Sequence, residues 1–192
     1  MEALRQTIRR LIQISNEELS QFLDGAVTKS FKRREALSYP GIVPDEIFFV
    51  EEGTIRVMIT DREGTEHTIH FALDNQFIAD YTNFMLRQPS AYTLQAVDAV
   101  QVVVLPRSSI EWGYTNLTQG DRLGRLIAEY YFIYQDTRVQ NLYARTPKER
   151  YDAIEETFPG IHNRVPQQMI ASYLGITPVH LSRLKKVDGS KI

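Results

Sequence analysis

The chain has 192 residues, 43% of them hydrophobic and 10% aromatic, enough apolar mass to build a core and to exclude a mainly disordered state. It contains no cysteine, which excludes a disulfide scaffold, thiolate-held zinc or iron–sulfur centres and a cysteine nucleophile. The formal net charge of −2 hides an asymmetry: residues 144–192 carry 8 Lys and Arg against 5 Asp and Glu. A mildly acidic body with a basic tail points to a polyanionic partner for the tail.

No apolar run approaches the roughly 18 residues a membrane-spanning helix needs. The N-terminus is amphipathic and lacks the charged tip and apolar run of a signal peptide, so a cytoplasmic location is expected. Leu4, Ile8, Leu11 and Ile12 fall at helical spacing. Asn16-Glu17-Glu18 reads as an N-cap with an acidic first turn, opening a second short helix to about Leu23 that Gly25 ends. From Ala26 to Leu105 the period changes to two. Phe48 to Val50, Ile55 to Ile59, Thr68 to Ala72, Ala91 to Ala96 and Val100 to Leu105 read as strands, with Asp61-Arg62-Glu63-Gly64 as a hairpin turn. Short antiparallel strands with regular turns imply a barrel or roll. Asp80 to Leu86 reads as one or two helical turns interrupting it.

A long helix is predicted from Gln119 to about Tyr143. Leu123, Ile127, Tyr130, Tyr134 and Leu142 lie along one broad side, widened by Leu126, Tyr131 and Phe132. An apolar arc that wide needs cover on two sides, one from the roll and one from a second copy. The dimer contact is assigned to Leu123, Ile127, Tyr130 and Tyr134. Thr146-Pro147 with Glu149 close behind starts the next helix. Tyr151, Ile154 and Phe158 share a face there, and Pro159-Gly160 stops it. The domain boundaries that follow are 1–118 for the roll, 119–144 for the dimerisation helix and 145–192 for a C-terminal domain.

The sharpest signal runs from Gln167 to Lys186. Two short helices joined by a tight turn need a small residue at the crossing, a residue tolerant of positive φ in the turn, apolar inner faces and an N-cap. Ala171, Gly175, the set Ile170, Leu174, Ile176, Leu181 and Leu184, and Thr177 followed by Pro178 meet those needs in that order. The result is a helix-turn-helix. Its second helix offers Val179, His180, Ser182, Arg183 and Lys186 outward, short groups first and cations after, as suits a recognition helix in a major groove. Arg183 is the expected base reader, since a guanidinium bonds guanine O6 and N7 together. Pro178 and Val179 can sense only a thymine methyl or shape. Thr177, His180 and Gln168 are expected at phosphates.

With these residues in view the chain resembles the cyclic-AMP receptor/fumarate-nitrate regulator (Crp/Fnr) family of bacterial transcription factors. The segments that carry the resemblance are Phe48 to Val57 and Ala171 to Arg183, and the order of elements agrees along the whole chain. Arg164 to Pro178 is similar to a Bacteroidetes-like subgroup with a shortened wing. The resemblance implies an α+β chain: a jelly-roll (double-stranded β-helix), cyclic-nucleotide-binding-like domain, a dimerisation helix, and a winged-helix-like helix-turn-helix domain. It implies double-stranded DNA, a second copy and RNA polymerase as partners. The family's nucleotide binders carry Gly-Glu at the short helix and Arg-Ser-Ala or Arg-Thr-Ala at the next strand. Here Ala79-Asp80 and Pro89-Ser90-Ala91 stand in those places. With Pro89 where the phosphate-holding Arg belongs, cyclic AMP is not expected as a ligand, and no cofactor is expected. Ala79, Asp80, Tyr81, Arg87, Ser90 and Ala91 remain the candidate pocket for an unidentified effector. The alternative reading is a ligand sensor whose output is a protein partner.

No P-loop, dinucleotide fingerprint, zincin motif or nucleophile elbow is present, so an enzyme is not expected. His67 and His70 read as solvated hairpin residues facing opposite ways, a poor metal pair.

Overall fold

A computed structural model describes the backbone of residues 1–188 and the side chains through Lys185. Lys186 therefore lies outside the described side chains. The N-terminus forms α1 (Glu2–Leu11) and α2 (Asn16–Phe22). Ser15, not Asn16, caps α2: its hydroxyl accepts from the Glu18 N–H while the Glu18 carboxylate accepts from the Ser15 N–H. Asn16 instead accepts from Arg9 at 2.6 Å. The Glu18 carboxylate also accepts from the Thr118 N–H, and these backbone bonds hold its pKa down at about 2.

Eight strands follow: β1 (Val27–Phe31), β2 (Ala36–Ser38), β3 (Glu46–Glu52), β4 (Ile55–Thr60), β5 (Glu66–Ala72), β6 (Phe77–Ile78), β7 (Tyr92–Ala96) and β8 (Val100–Pro106). They form two antiparallel sheets, ordered β1-β8-β3-β6 and β2-β7-β4-β5. The first sheet is covered on both faces, which is why β3 and β8 read as unbroken apolar runs. Phe48, Val50, Val102 and Val104 point between the sheets; Ile47, Phe49, Val103 and Leu105 point to the N-terminal helices. At Gly53 the chain crosses from one sheet to the other with φ +105°, and a Cβ there would lie 2.6 Å from Val100 Cγ1.

α3 (Tyr81–Leu86) interrupts the roll, capped by Asp80. α4 (Arg107–Asn116) leads to α5 (Gly120–Ala144), a helix of 25 residues. α6 (Pro147–Thr157) starts with the Thr146–Glu149 capping box and Pro147 in its first turn. α7 (Ile161–Arg164), α8 (Gln167–Tyr173) and α9 (Pro178–Asp188) complete the described chain. Among the described residues no strand follows Pro106, and the single turn α7 lies between α6 and α8.

The roll and the C-terminal domain share a core. Phe71, Leu73 and Val97 of the roll are buried together with Ile154, Phe158, Ile161, Val165, Ile170, Leu174 and Leu181. His70 corrects the expectation of a solvated histidine: it is 5% exposed, packed on Tyr134 at 4.3 Å and Tyr131 at 5.5 Å between ring centroids. A register shift between Val57 and Met58 occurs beside it on the partner strand. Burial, and secondarily the Arg138 charge, push its pKa down to about 3. His67 is exposed, 2.7 Å from Asp61.

Candidate nucleic-acid interface and sensor pocket

The helix-turn-helix forms as its sequence pattern requires. Gly175 takes φ +68° in the turn, a conformation that favours glycine. The Ile176 N–H donates to the Ala171 carbonyl at 3.0 Å, closing the turn. The Thr177 hydroxyl accepts from the His180 N–H at 3.2 Å and so caps α9. Ile170, Ala171, Leu174 and Leu181 are buried, with Ile176 and Leu184 half-buried. Thr177, Pro178, Val179, His180, Ser182, Arg183 and Lys185 are all exposed, as is Gln168 in the first turn of α8. The described side chains singled out for DNA contact thus stand together on solvent, on a helix anchored by its other face.

The anchor was not legible in the sequence. Arg164 donates to both carboxylate oxygens of Asp74, at 2.8 and 3.0 Å, and to the Gly53 carbonyl at 2.8 Å. Ser172 bonds the backbone of β5, and Arg138 of α5 donates to the Thr68 carbonyl at 3.1 Å. The α8 residues that face the roll are therefore distinct from those of α9 that face solvent.

The residues assigned to dimer contact divide. Leu123 is buried in the core beneath the N-terminal helices, with Ile127 packed against the same core. Tyr134 packs on His70 and reaches the Tyr173 hydroxyl at 3.1 Å, inside the same subunit. These three do not form the free face; of the four, only Tyr130 is exposed. The exposed apolar residues of α5 are Tyr130, Phe132, Ile133, Val139 and Tyr143, the last 89% exposed. Tyr130 and Ile133 are neighbours on one side of α5, whereas Phe132, Val139 and Tyr143 lie on the side opposite Leu123.

Of the candidate pocket residues, Ala79, Asp80 and Ser90 turn inward. Asp80 is buried, and its carboxylate accepts from the Ser90 hydroxyl at 2.7 Å, the Asn83 side-chain amide at 2.7 Å and the Asn83 N–H at 3.3 Å. Arg87 is exposed and pairs with Glu111 at 2.6 Å, so it does not reach Asp80. Ala79 is buried, Tyr81 half-buried and Ala91 exposed. Tyr81 stacks on Phe84, under the N-terminal helices, and Met85 is exposed. A cavity of about 280 Å³ adjoins Asp80 and Phe48; Asp45, Glu46 and Asp80 line it, and no Lys or Arg does. Among the described residues no cluster of potential metal ligands occurs, and no helix is long and apolar enough to cross a membrane.

A two-sheet roll, a long helix and an exposed helix-turn-helix follow one another along the chain, and known proteins share that arrangement. Residues 28–114 match the family profile of the cyclic nucleotide-binding domain. No curated protein matches the sequence. FixK2 from Bradyrhizobium japonicum superposes with a TM-score of 0.76 at 16% identity, covering 86% of this chain and 85% of that one. CLP, a c-di-GMP-responsive global regulator of Xanthomonas campestris, gives 0.69 at 12% identity over 92% and 93% of the two chains. A CRP/FNR-family transcriptional regulator from Thermus thermophilus gives 0.61 at 20% identity over 86% and 87%. The likeness to the cyclic nucleotide-binding domain covers residues 28–114, and the overall fold is similar to that of Crp/Fnr transcriptional regulators.

Proposed function

We propose that the protein is a cytoplasmic, homodimeric, sequence-specific DNA-binding regulator of the Crp/Fnr kind, acting by binding rather than catalysis. One observation carries this reading. The face of α9 from Thr177 to Lys185 stands exposed while Leu181 is buried at 1% exposure. That leaves Arg183 free to read a base edge in the major groove, with Val179 against a methyl or the groove floor. Thr177, His180 and Gln168 contact phosphates. Two copies joined along α5 through Tyr130, Ile133 and their exposed neighbours would present two such helices to half-sites roughly 34–36 Å apart. RNA polymerase is the partner expected at a promoter.

The sensor domain is read as having lost cyclic-AMP binding. A phosphodiester needs a cation or several charge-assisted bonds. The carboxylate at Asp80 and the hydroxyl at Ser90 satisfy each other, and the adjoining cavity carries acids but no base. An effector, where one acts, must bind one α9 spacing better than another to shift the dimer.

Selection of genomic fragments with purified ligand-free protein at near-physiological salt, read by sequencing, tests the function. An enriched pseudo-palindrome supports a DNA-reading dimer. Uniform recovery of all sequences, with or without candidate effectors, would sink it in favour of a sensor acting on a protein. Calorimetry with cyclic AMP is expected to show no saturable heat.

A further inference from the structure

A pocket of about 30 Å³ opens where α5, α6 and α8 meet. Two guanidiniums line it, Arg138 from α5 and Arg150 from α6, together with the amide of Asn141; no carboxylate does. That is unlike three other partly or fully buried arginines of this protein. Arg56 pairs with Glu66, Arg107 with Asp45 and Arg164 with Asp74. Arg138 instead donates to the carbonyls of Thr68 and Tyr173, and Arg150 to those of Leu142 and Arg145. Those bonds use one Nη of each group. The Nε of each is buried without a partner. The other Nη of each takes no bond within the described residues, and two half-buried cations on one pocket without an acid form a charge-unbalanced site that an anion would complete.

We propose that this pocket binds a phosphate-sized oxyanion, either inorganic phosphate or the phosphate of a small phosphomonoester. A tetrahedral oxyanion can accept from two guanidiniums at once, with Asn141 as a neutral donor, whereas a halide offers no separate oxygens to share. The place gives the site a consequence. Leu142 lines the pocket and lies 3.4 Å from where a Cβ of Gly175 would stand. An anion there ties the end of α5 to the α8–α9 turn and fixes the helix-turn-helix against the long helix.

The test uses the full chain in sodium phosphate and in sodium chloride of equal ionic strength, by thermal melting and titration calorimetry. Saturable heat and a melting shift specific to phosphate are expected. R138Q and R150Q should weaken binding at least tenfold. Both arginines also brace carbonyls, so Asn141→Asp is the decisive variant: it places a carboxylate in the pocket, leaves both arginines in place, and should abolish the phosphate shift. Equal shifts in phosphate and chloride, or an N141D protein that responds like the parent, would overturn the site. So would a third result, no phosphate binding but a uniform loss of affinity for all DNA sequences in R138Q and R150Q. That result would assign the arginines to the DNA backbone.

Discussion

The Ser172 hydroxyl, on the first helix of the helix-turn-helix, accepts from the Thr68 N–H of β5 at 2.8 Å and donates to the Glu66 carbonyl at 3.2 Å. β5 is an edge strand of its sheet, so these groups have no further strand to pair with. One small hydroxyl therefore blunts a sheet edge and docks the reading domain in the same contact. Ser172→Ala strands the Thr68 amide, whose residue is 1% exposed. The expected cost is about 1–3 kcal/mol, seen in urea unfolding. Hydrogen exchange should localise it as lost protection at Thr68; unchanged protection there would show that the bond contributes nothing.

His70 makes stability depend on pH. Burial, then Arg138, hold its pKa at about 3 against an ordinary 6.5. Tyr131 and Tyr134 of α5 also face it, and burial pushes both phenols well above their usual range, leaving them neutral. The folded state thus binds fewer protons than the unfolded one below pH 6.5. The His70 contribution is complete above 6.5 and is lost as pH falls toward 3. Between pH 7.5 and 5 the loss is about 2 kcal/mol. Denaturant melts at the two pH values should show it, and His70→Phe should flatten that part of the profile.

Arg183 should behave as a base reader. Arg183→Ala is expected to cost about 1–3 kcal/mol on the selected site and to relax preference at one base position. Lys185→Ala, by contrast, should weaken binding evenly and lower the salt slope by about one unit. Competition binding across single-base site variants separates the two.

The proposed dimer contact on α5 gives a contrast between two apolar residues of one helix. Ile133 is 64% exposed and Leu123 5%. On the proposed dimer, Ile133→Asp is expected to leave the fold intact and give monomers in sedimentation. Leu123→Ala should leave association in place and lower stability by about 2–5 kcal/mol through the cavity it opens. Dimers that survive Ile133→Asp at micromolar concentration would move the seam elsewhere.

Some of this molecule was readable residue by residue because its causes are local. Gly175, Thr177 and Pro178 announce a turn and a helix start wherever the chain is placed, and Thr146-Pro147 with Glu149 does the same for α6. Other elements gave no signal. β1 is exposed along most of its length, so no alternation of apolar and polar residues marks it. α4 mixes Ser, Gly, Thr and Asn with few apolar residues, and its partners come from α2 and α5.

The sequence by itself determined the antiparallel β body, the long helix and the helix-turn-helix with its exposed face, since capping, turn geometry and apolar periodicity act over a few residues. It also puts Pro89 where the family resemblance implies a phosphate-holding Arg. Tertiary structure alone decided which side of α5 stays free, since Leu123, Ile127 and Tyr134 are as apolar as Tyr130 and Ile133. Only packing tells them apart. It alone buried His70, and it alone brought Arg164 to Asp74, 90 residues apart along the chain. Those outcomes depend on contacts between distant segments, and local pattern carries no information about them.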